Sequence, residues 1–332
     1  MINKVLILGI SSFAGASLGN HLLKNSNYQI FGTYNNKRKL PFELFLKKNK
    51  NFKKLKLIKL DLKKNTNRLN KIIAIIKPNY IIDFASICMV NESWIFPEYY
   101  FKVNLFSKIN FIKNLDKIKS LKKYIYISTP EIFGSNKKLI KENSMSFNPS
   151  TPYASSKLAV ELFLNNFIKN SNFKIIIARF SNFYGRGQPM HRLIPKLVYC
   201  INNKKKFSLH GSGKTKRDFI FDEDFNSGIF KIIKIGKIGK RYHFSGNKYI
   251  SIRNLIKKVI KIKKYSWSKL ISQSKERIGK DKYYFLDCKK TRSALNWKCK
   301  TSLDSGIIKT ITFYDDIFKK FNQSDVIFKL ND

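Results

Sequence analysis

VLILGISSFAGASL, residues 5–18, decides the fold. Residues 5–8 are four apolar side chains in a row and read as a buried strand. They run into a turn of small residues, and the pattern beyond it puts Leu18 and Leu22 one helical turn apart on one face. The spacing is G-x-x-S-x-x-G, with Gly9, Ser12 and Gly15. Small residues where a strand enters a helix let backbone N–H groups approach a pyrophosphate at the helix N-terminus. A glycine pattern alone is weak. After the first strand of a βαβ unit it predicts a dinucleotide cradle of Gly9, Ser12, Phe13 and Gly15, against the bland reading of an ordinary tight turn.

The rhythm continues. Apolar runs at residues 29–34, 55–60, 80–84, 124–128 and 174–180 alternate with helix-like segments at 69–76, 94–115 and 153–168. This predicts an α/β fold, a Rossmann-type doubly wound parallel sheet over residues 1–180. From about Ser181 the regularity fails. A short strand at 242–245 and helices at 253–262 and 303–318 suggest a smaller mixed α/β substrate region over 181–332, some of whose segments return to the first domain.

A carboxylate closing the second strand would grip an adenosine ribose and mark NAD. Here Tyr34, Asn35 and Asn36 are followed by Lys37 and Arg38 and no acid, which locally leans toward NADP; in so lysine-rich a chain the two cations weigh little, and NAD is expected with NADP left open. Asn35, and Asp61 with Leu62 after the third strand, are the candidate adenosine contacts; Asp61 reads equally well as a strand-end cap.

Lys and Arg number 66 against 21 Asp and Glu, a formal charge of +45. The lysines are spread along the chain, which reads as a solvated basic surface. Attraction to polyanions would be non-specific and fade with salt, so no specific nucleic-acid partner is expected. The four cysteines form no C-x-x-C and the four histidines no ligand spacing, so neither a disulfide framework nor a metal site is supported. Reduced thiols make the cytoplasm the default. The N-terminus loosely mimics a signal peptide, but Gly9, Ser11, Ser12 and Gly15 interrupt it. No apolar run is long enough for a membrane span.

STPYASSK, residues 150–157, supplies Tyr153 and Lys157, one helical turn apart. Thr151 suits an N-cap and Pro152 a first helical position. A nearby ammonium would favour a phenolate able to take a proton from a hydroxyl. In so lysine-rich a chain about three Y-x-x-x-K matches arise by chance; two occur, at Tyr153 and Tyr265. Position separates them: only Tyr153 opens a helix soon after a strand end, that of residues 124–128, and such ends are where ligands bind in open α/β sheets.

That strand runs into Thr129, Pro130 and Glu131. NPSTPYASSK, ARFSNFYG, RLIPKLV, LHGSGKTKRDFIFDED and ERIGKDKYYFLDCKKTRSALNWK follow in order. With the cradle, they resemble the extended short-chain dehydrogenase/reductases of the NAD-dependent epimerase/dehydratase family, in the arrangement of dTDP-glucose 4,6-dehydratases. The resemblance implies that Thr129 and Tyr153 bind a sugar 4-hydroxyl and that Lys157 also holds the nicotinamide ribose. It assigns Asn182, Arg217 and Arg277 to a substrate diphosphate and Arg192 to the nucleotide. It also implies a homodimer formed through the helices that carry the Tyr-Lys motif.

In those dehydratases the strand end reads Thr-Asp-Glu, the Asp being the general acid and the Glu the base at C5. Here Pro130, which can give up no proton, replaces the Asp. Ser86-Ile87-Cys88-Met89-Val90-Asn91 replaces an A-E-S-H-V-D stretch. The expected activity is a nucleotide-sugar 4,6-dehydratase: transient oxidation at C4, deprotonation at C5 by Glu131, and loss of water from C6. Two alternatives stay open: an epimerase or reductase on the same scaffold, and an inactive Rossmann protein that binds polyanions.

Overall fold

Strand β1 (Lys4–Leu8) lies inside a seven-stranded sheet whose members are all parallel. The others are β2 (Gln29–Tyr34), β3 (Leu55–Lys59), β4 (Tyr80–Asp83), β5 (Lys123–Ser128), β6 (Ile175–Phe180) and β7 (Arg241–Phe244), in the spatial order β7-β6-β5-β4-β1-β2-β3. The computed structural model describes residues 2–35, 46–62, 66–170, 173–246, 248–276, 279 and 281–320.

Side-chain alternation divides the strands between two cores. Val5, Ile7, Ile82, Ile125 and Ile176 face one way, against α1 (Phe13–Asn25) and α8 (Asp222–Ile235). Leu6, Leu8, Ile81, Tyr124 and Ile175 face the other. There they meet α2 (Thr66–Ile76), α5 (Ser107–Ile112) and α6 (Pro152–Asn170) through Leu69, Ile73, Phe111, Val160 and Leu164. A third core joins α7 (Leu193–Asn202), α9 (Ile252–Ile262) and α10 (Leu303–Lys320) around Leu197, Leu255 and Ile307.

One expectation fails. The helix read over 94–115 is broken into α3 (Val90–Ile95), α4 (Pro97–Phe101), a wider π turn at Lys102–Phe106, and α5. Pro97 starts a new helix because it has no N–H to continue the old one. From the later part of the chain, β7 is an edge strand of the main sheet, and Leu295 and Trp297 join its core.

β6, β7 and α6 are tied by a buried cluster. Arg179 meets Glu161 through Nε at 3.0 Å and Nη2 at 2.5 Å, with both side chains fully buried. Its Nη1 donates to Glu142 O at 3.2 Å and lies 3.0 Å from His243 Nε2. Burial and the Arg179 charge hold the His243 imidazole well below its usual range, so it stays neutral beside the guanidinium. A pair this deep adds little stability over apolar side chains of the same volume, yet losing one partner would cost about 3–5 kcal/mol.

Candidate active site

The chain order reverses in space between β1 and β4, which opens a crevice at their carboxyl ends. Gly9 enters it with φ +78°, and a Cβ there would come within 3.1 Å of the Ala85 backbone. A Cβ on Gly15 would lie 2.4 Å from Gly9 O, so the turn accepts only glycine. Ser12 caps α1: its Oγ donates to Gly9 O at 2.8 Å and accepts from Gly15 N at 3.1 Å. This bare turn at a helix N-terminus fits a dinucleotide pyrophosphate. Phe13 stacks on Phe183 at 4.3 Å and braces the turn from the side. Asn35 follows β2, and Asp61 and Leu62 follow β3, on the same edge of the sheet as Gly9. Asn36, Lys37 and Arg38 lie outside the described residues.

Two strands along, β5 delivers Thr129 and a short 3₁₀ turn, Pro130–Phe133. Thr129 Oγ1 accepts from Glu131 N at 3.3 Å, and Pro130 fills the first helical position. Burial pushes the Glu131 carboxyl up to about 7; Arg217 opposes the rise, Asp281 reinforces it, and Arg192 opposes it again. Tyr153 opens α6, where Thr151 Oγ1 accepts from Ala154 N at 3.1 Å. Its ring is 8% exposed and lies edge-on to Tyr100 at 6.4 Å.

The surroundings of the Tyr153 ring work against a phenolate. Burial, then the Glu131 charge, raise the Tyr153 phenol well above its usual value, against a hydrogen bond with Thr129 and the charge of Arg192. Lys157 does not relieve it, because its ammonium is engaged elsewhere. Nζ donates to Ile127 O at 2.8 Å and Ser86 Oγ at 3.1 Å and lies 4.3 Å from the Tyr126 ring centroid. Burial and the neighbouring Lys108 bring that amine down to about 7.

On the C-terminal side, Arg217 lies over the Tyr284 ring at 4.2 Å and donates to Asp281 O at 2.6 Å. Tyr284 OH donates to Asn182 Oδ1 at 2.9 Å, so Arg217 and Asn182 belong to one assembly. Arg192 stands just before α7 with Nη2 3.1 Å from Cys88 Sγ. Its charge bears on both Tyr153 and Glu131. Arg277 lies outside the described residues; nearby Gly279 O accepts from Ser150 Oγ at 3.2 Å, just ahead of α6.

Ser86, Cys88, Tyr284 and the Lys108–Asp83 pair had no assigned role in the sequence reading. One signal was available: Asp83 is the only carboxylate within the seven strands, closing an otherwise apolar YIID.

The sequence profile of the GDP-mannose 4,6 dehydratase family matches residues 6–310. The chain belongs to that family. Among curated relatives of this GDP-mannose 4,6 dehydratase family member, mouse dTDP-D-glucose 4,6-dehydratase is 28% identical over 75% of the chain and 71% of its own length. The human protein of the same name is 31% identical over 60% of the chain and 58% of its own length. A solved dTDP-glucose 4,6-dehydratase from Bacillus anthracis, in complex with NAD, superposes with a TM-score of 0.85 at 21% identity, covering 97% of this chain and 98% of that one. UDP-glucuronic acid 4-epimerase from Bacillus cereus, also with NAD, gives a TM-score of 0.85 at 25% identity over 95% of this chain and 99% of that one. The fold is thus the Rossmann-type fold of the family.

Proposed function

We propose that this family member is an NAD-dependent nucleotide-sugar 4,6-dehydratase, a lyase. The observation that carries the reading is Glu131: a carboxyl held near 7 beside Tyr153 and Thr129, at the strand end facing the dinucleotide turn. A carboxyl so placed can take a proton at neutral pH and give it back. A 4-epimerase needs no base there.

The cradle of Gly9, Ser12 and Gly15 would hold the pyrophosphate of NAD, with Phe13, Asn35, Asp61 and Leu62 toward the adenosine and Lys157 on the nicotinamide ribose. NAD supplies, when bound, the acceptor for the hydrogen leaving C4 and its donor to C6. Tyr153 and Thr129 hold the sugar 4-hydroxyl, and Tyr153 takes its proton. The C4 ketone acidifies the C5 hydrogen, which Glu131 removes. The C6–O bond breaks as the C5–C6 double bond forms. With Pro130 in place of an acid, Glu131 returns the proton to the departing hydroxyl, which leaves as water; as hydrogen returns to C6, C5 takes a solvent-derived proton relayed by Glu131, and the proton held by Tyr153 passes to solvent. Asn182, Arg217 and Arg277 bind the diphosphate; a guanidinium fork suits phosphate oxygens. Arg192, from its place near Tyr153 and Glu131, bears on the sugar.

Names of relatives support the dehydratase reading. Pro130 and the likeness to a 4-epimerase favour the second reading, interconversion of epimers. A panel of sugar nucleotides in deuterated water separates them. The dehydratase product lacks one water and carries deuterium at C5; epimers without loss of water would replace the proposal.

We also propose a homodimer. α3, α4, the following π turn and α6 leave Trp94, Ile95, Phe96, Phe106 and Leu162 exposed, an apolar face beside the Tyr-Lys helix. Its occupant is a second copy of the chain, as the family resemblance implies. Sedimentation should give twice 38.9 kDa, and Phe106→Glu with Leu162→Glu should give the monomer; a monomeric wild type would end this reading. Among the described residues no helix is long and apolar enough to cross a membrane. The four free cysteines fit a reducing compartment, for which we take the cytoplasm.

A further inference from the structure

Two lysine ammonium groups converge on one hydroxyl below the reacting end of the crevice. Ser86 Oγ accepts from Lys157 Nζ at 3.1 Å and from Lys108 Nζ at 3.4 Å. Both nitrogens also lie near the Tyr126 ring, 4.3 and 5.3 Å from its centroid. Lys108 is 2% exposed and Lys157 3%, so neither charge is relieved by bulk water.

Lys108 arrives from α5 and is neutralised by Asp83 at the end of β4, with Nζ at 2.9 Å from Oδ1 and 2.7 Å from Oδ2. Asp83 is itself anchored, accepting from Tyr124 OH at 2.7 Å and Ala85 N at 2.9 Å. With Ser86 as third acceptor, all three Lys108 protons are placed. Ser86 has both lone pairs occupied by ammonium donors, so its own proton must point to some other group.

A buried Lys–Asp pair adds little stability over apolar side chains of the same volume. Its placement against the one lysine of the Tyr-Lys motif gives it a different use. We infer that Lys108, with Asp83, is a positioning pair for Lys157: it fixes where that ammonium sits and how firmly it keeps its proton, without touching substrate. The inference rests on the role given to Lys157 above.

The groups that bear on Lys157 come from every side. Asp83 is on β4, Ser86 and Cys88 on the segment after it, and Lys108 on α5. Tyr126 and the Ile127 carbonyl belong to β5, and Tyr153 and Glu161 to its own helix. Burial lowers the amine most and Lys108 next, while Asp83, Cys88 and Glu161 act in the opposite sense.

The test measures the Lys157 titration directly in the full chain. Lysine labelled with ¹³C at Cε is incorporated, and the Lys157 resonance is assigned by its loss in Lys157→Arg. The wild-type midpoint is expected at about 7. Lys108→Met removes a like charge and leaves Asp83 unpaired, so the midpoint should rise by about one unit or more. The double variant Asp83→Asn, Lys108→Met leaves no unpaired buried charge and guards against misfolding. Its midpoint should lie above the wild type and below the single variant, because the Lys108 effect outweighs that of Asp83. The alkaline limb of kcat against pH should follow each midpoint, with KM little changed. A wild-type midpoint in whichever variant folds overturns the inference. A midpoint that moves while the alkaline limb stays put upholds the coupling and instead removes Lys157 from the proposed reaction.

Discussion

Glu131→Gln is expected to slow the loss of water from the sugar roughly a hundred- to ten-thousand-fold, the range for removing a positioned proton-transfer group. Glutamine has the same shape but cannot take the C5 proton. The 3₁₀ turn should survive, because the contact to Thr129 uses the Glu131 backbone N–H. The pH profile carries the sign. Glu131 must be ionised to act, so wild-type activity should rise as pH rises through about 7. Lys157 loses its charge as pH rises through a similar value, so activity should fall beyond it. The result is a narrow bell around neutrality. In Glu131→Gln the acid limb should vanish and deuterium should no longer enter C5. A variant with the wild-type rate and acid limb would show that another group takes the proton.

Tyr153→Phe should lower turnover by on the order of a thousandfold, and its signature differs. Glu131 acts only after C4 is oxidised, so without the phenol even C5 exchange should stop. The two variants therefore divide the reaction: Glu131→Gln should still pass the labelled C4 hydrogen of a sugar to the bound dinucleotide, and Tyr153→Phe should not. Dinucleotide content should be unchanged in both, since Gly9, Ser12, Gly15 and Lys157 remain. The lost hydrogen bond to Thr129 is worth about 1 kcal/mol, and the ring keeps its packing on Tyr100, so Tyr153→Phe should fold. Wild-type turnover in Tyr153→Phe would remove the phenol from the scheme.

The parallel sheet and its cradle were legible because both signals are local. Alternating runs define strands and helices, and Gly9, Ser12 and Gly15 sit where the first strand ends. Tyr153, Lys157, Thr129 and Glu131 were legible by position, and the structure gathers them at the carboxyl end of β5. Side-chain partners were not legible. Lys157 was expected to serve Tyr153, but its bonds go to Ser86 and Ile127, which no spacing rule could foresee. Nor could spacing show the contact between Arg192 and Cys88, more than a hundred residues apart in the chain. The break at Pro97 was visible in the sequence and was overridden by the apolar run around it.

β7 comes from residues 241–244, some sixty positions beyond the strand it pairs with. Every residue of β6, IIIARF, is buried in the finished molecule. A chain emerging from the ribosome only as far as Phe180 would thus present a row of unpaired backbone groups flanked by apolar side chains, a template on which a second nascent chain could add a strand. The amino-terminal half by itself therefore lacks the strand that closes its edge.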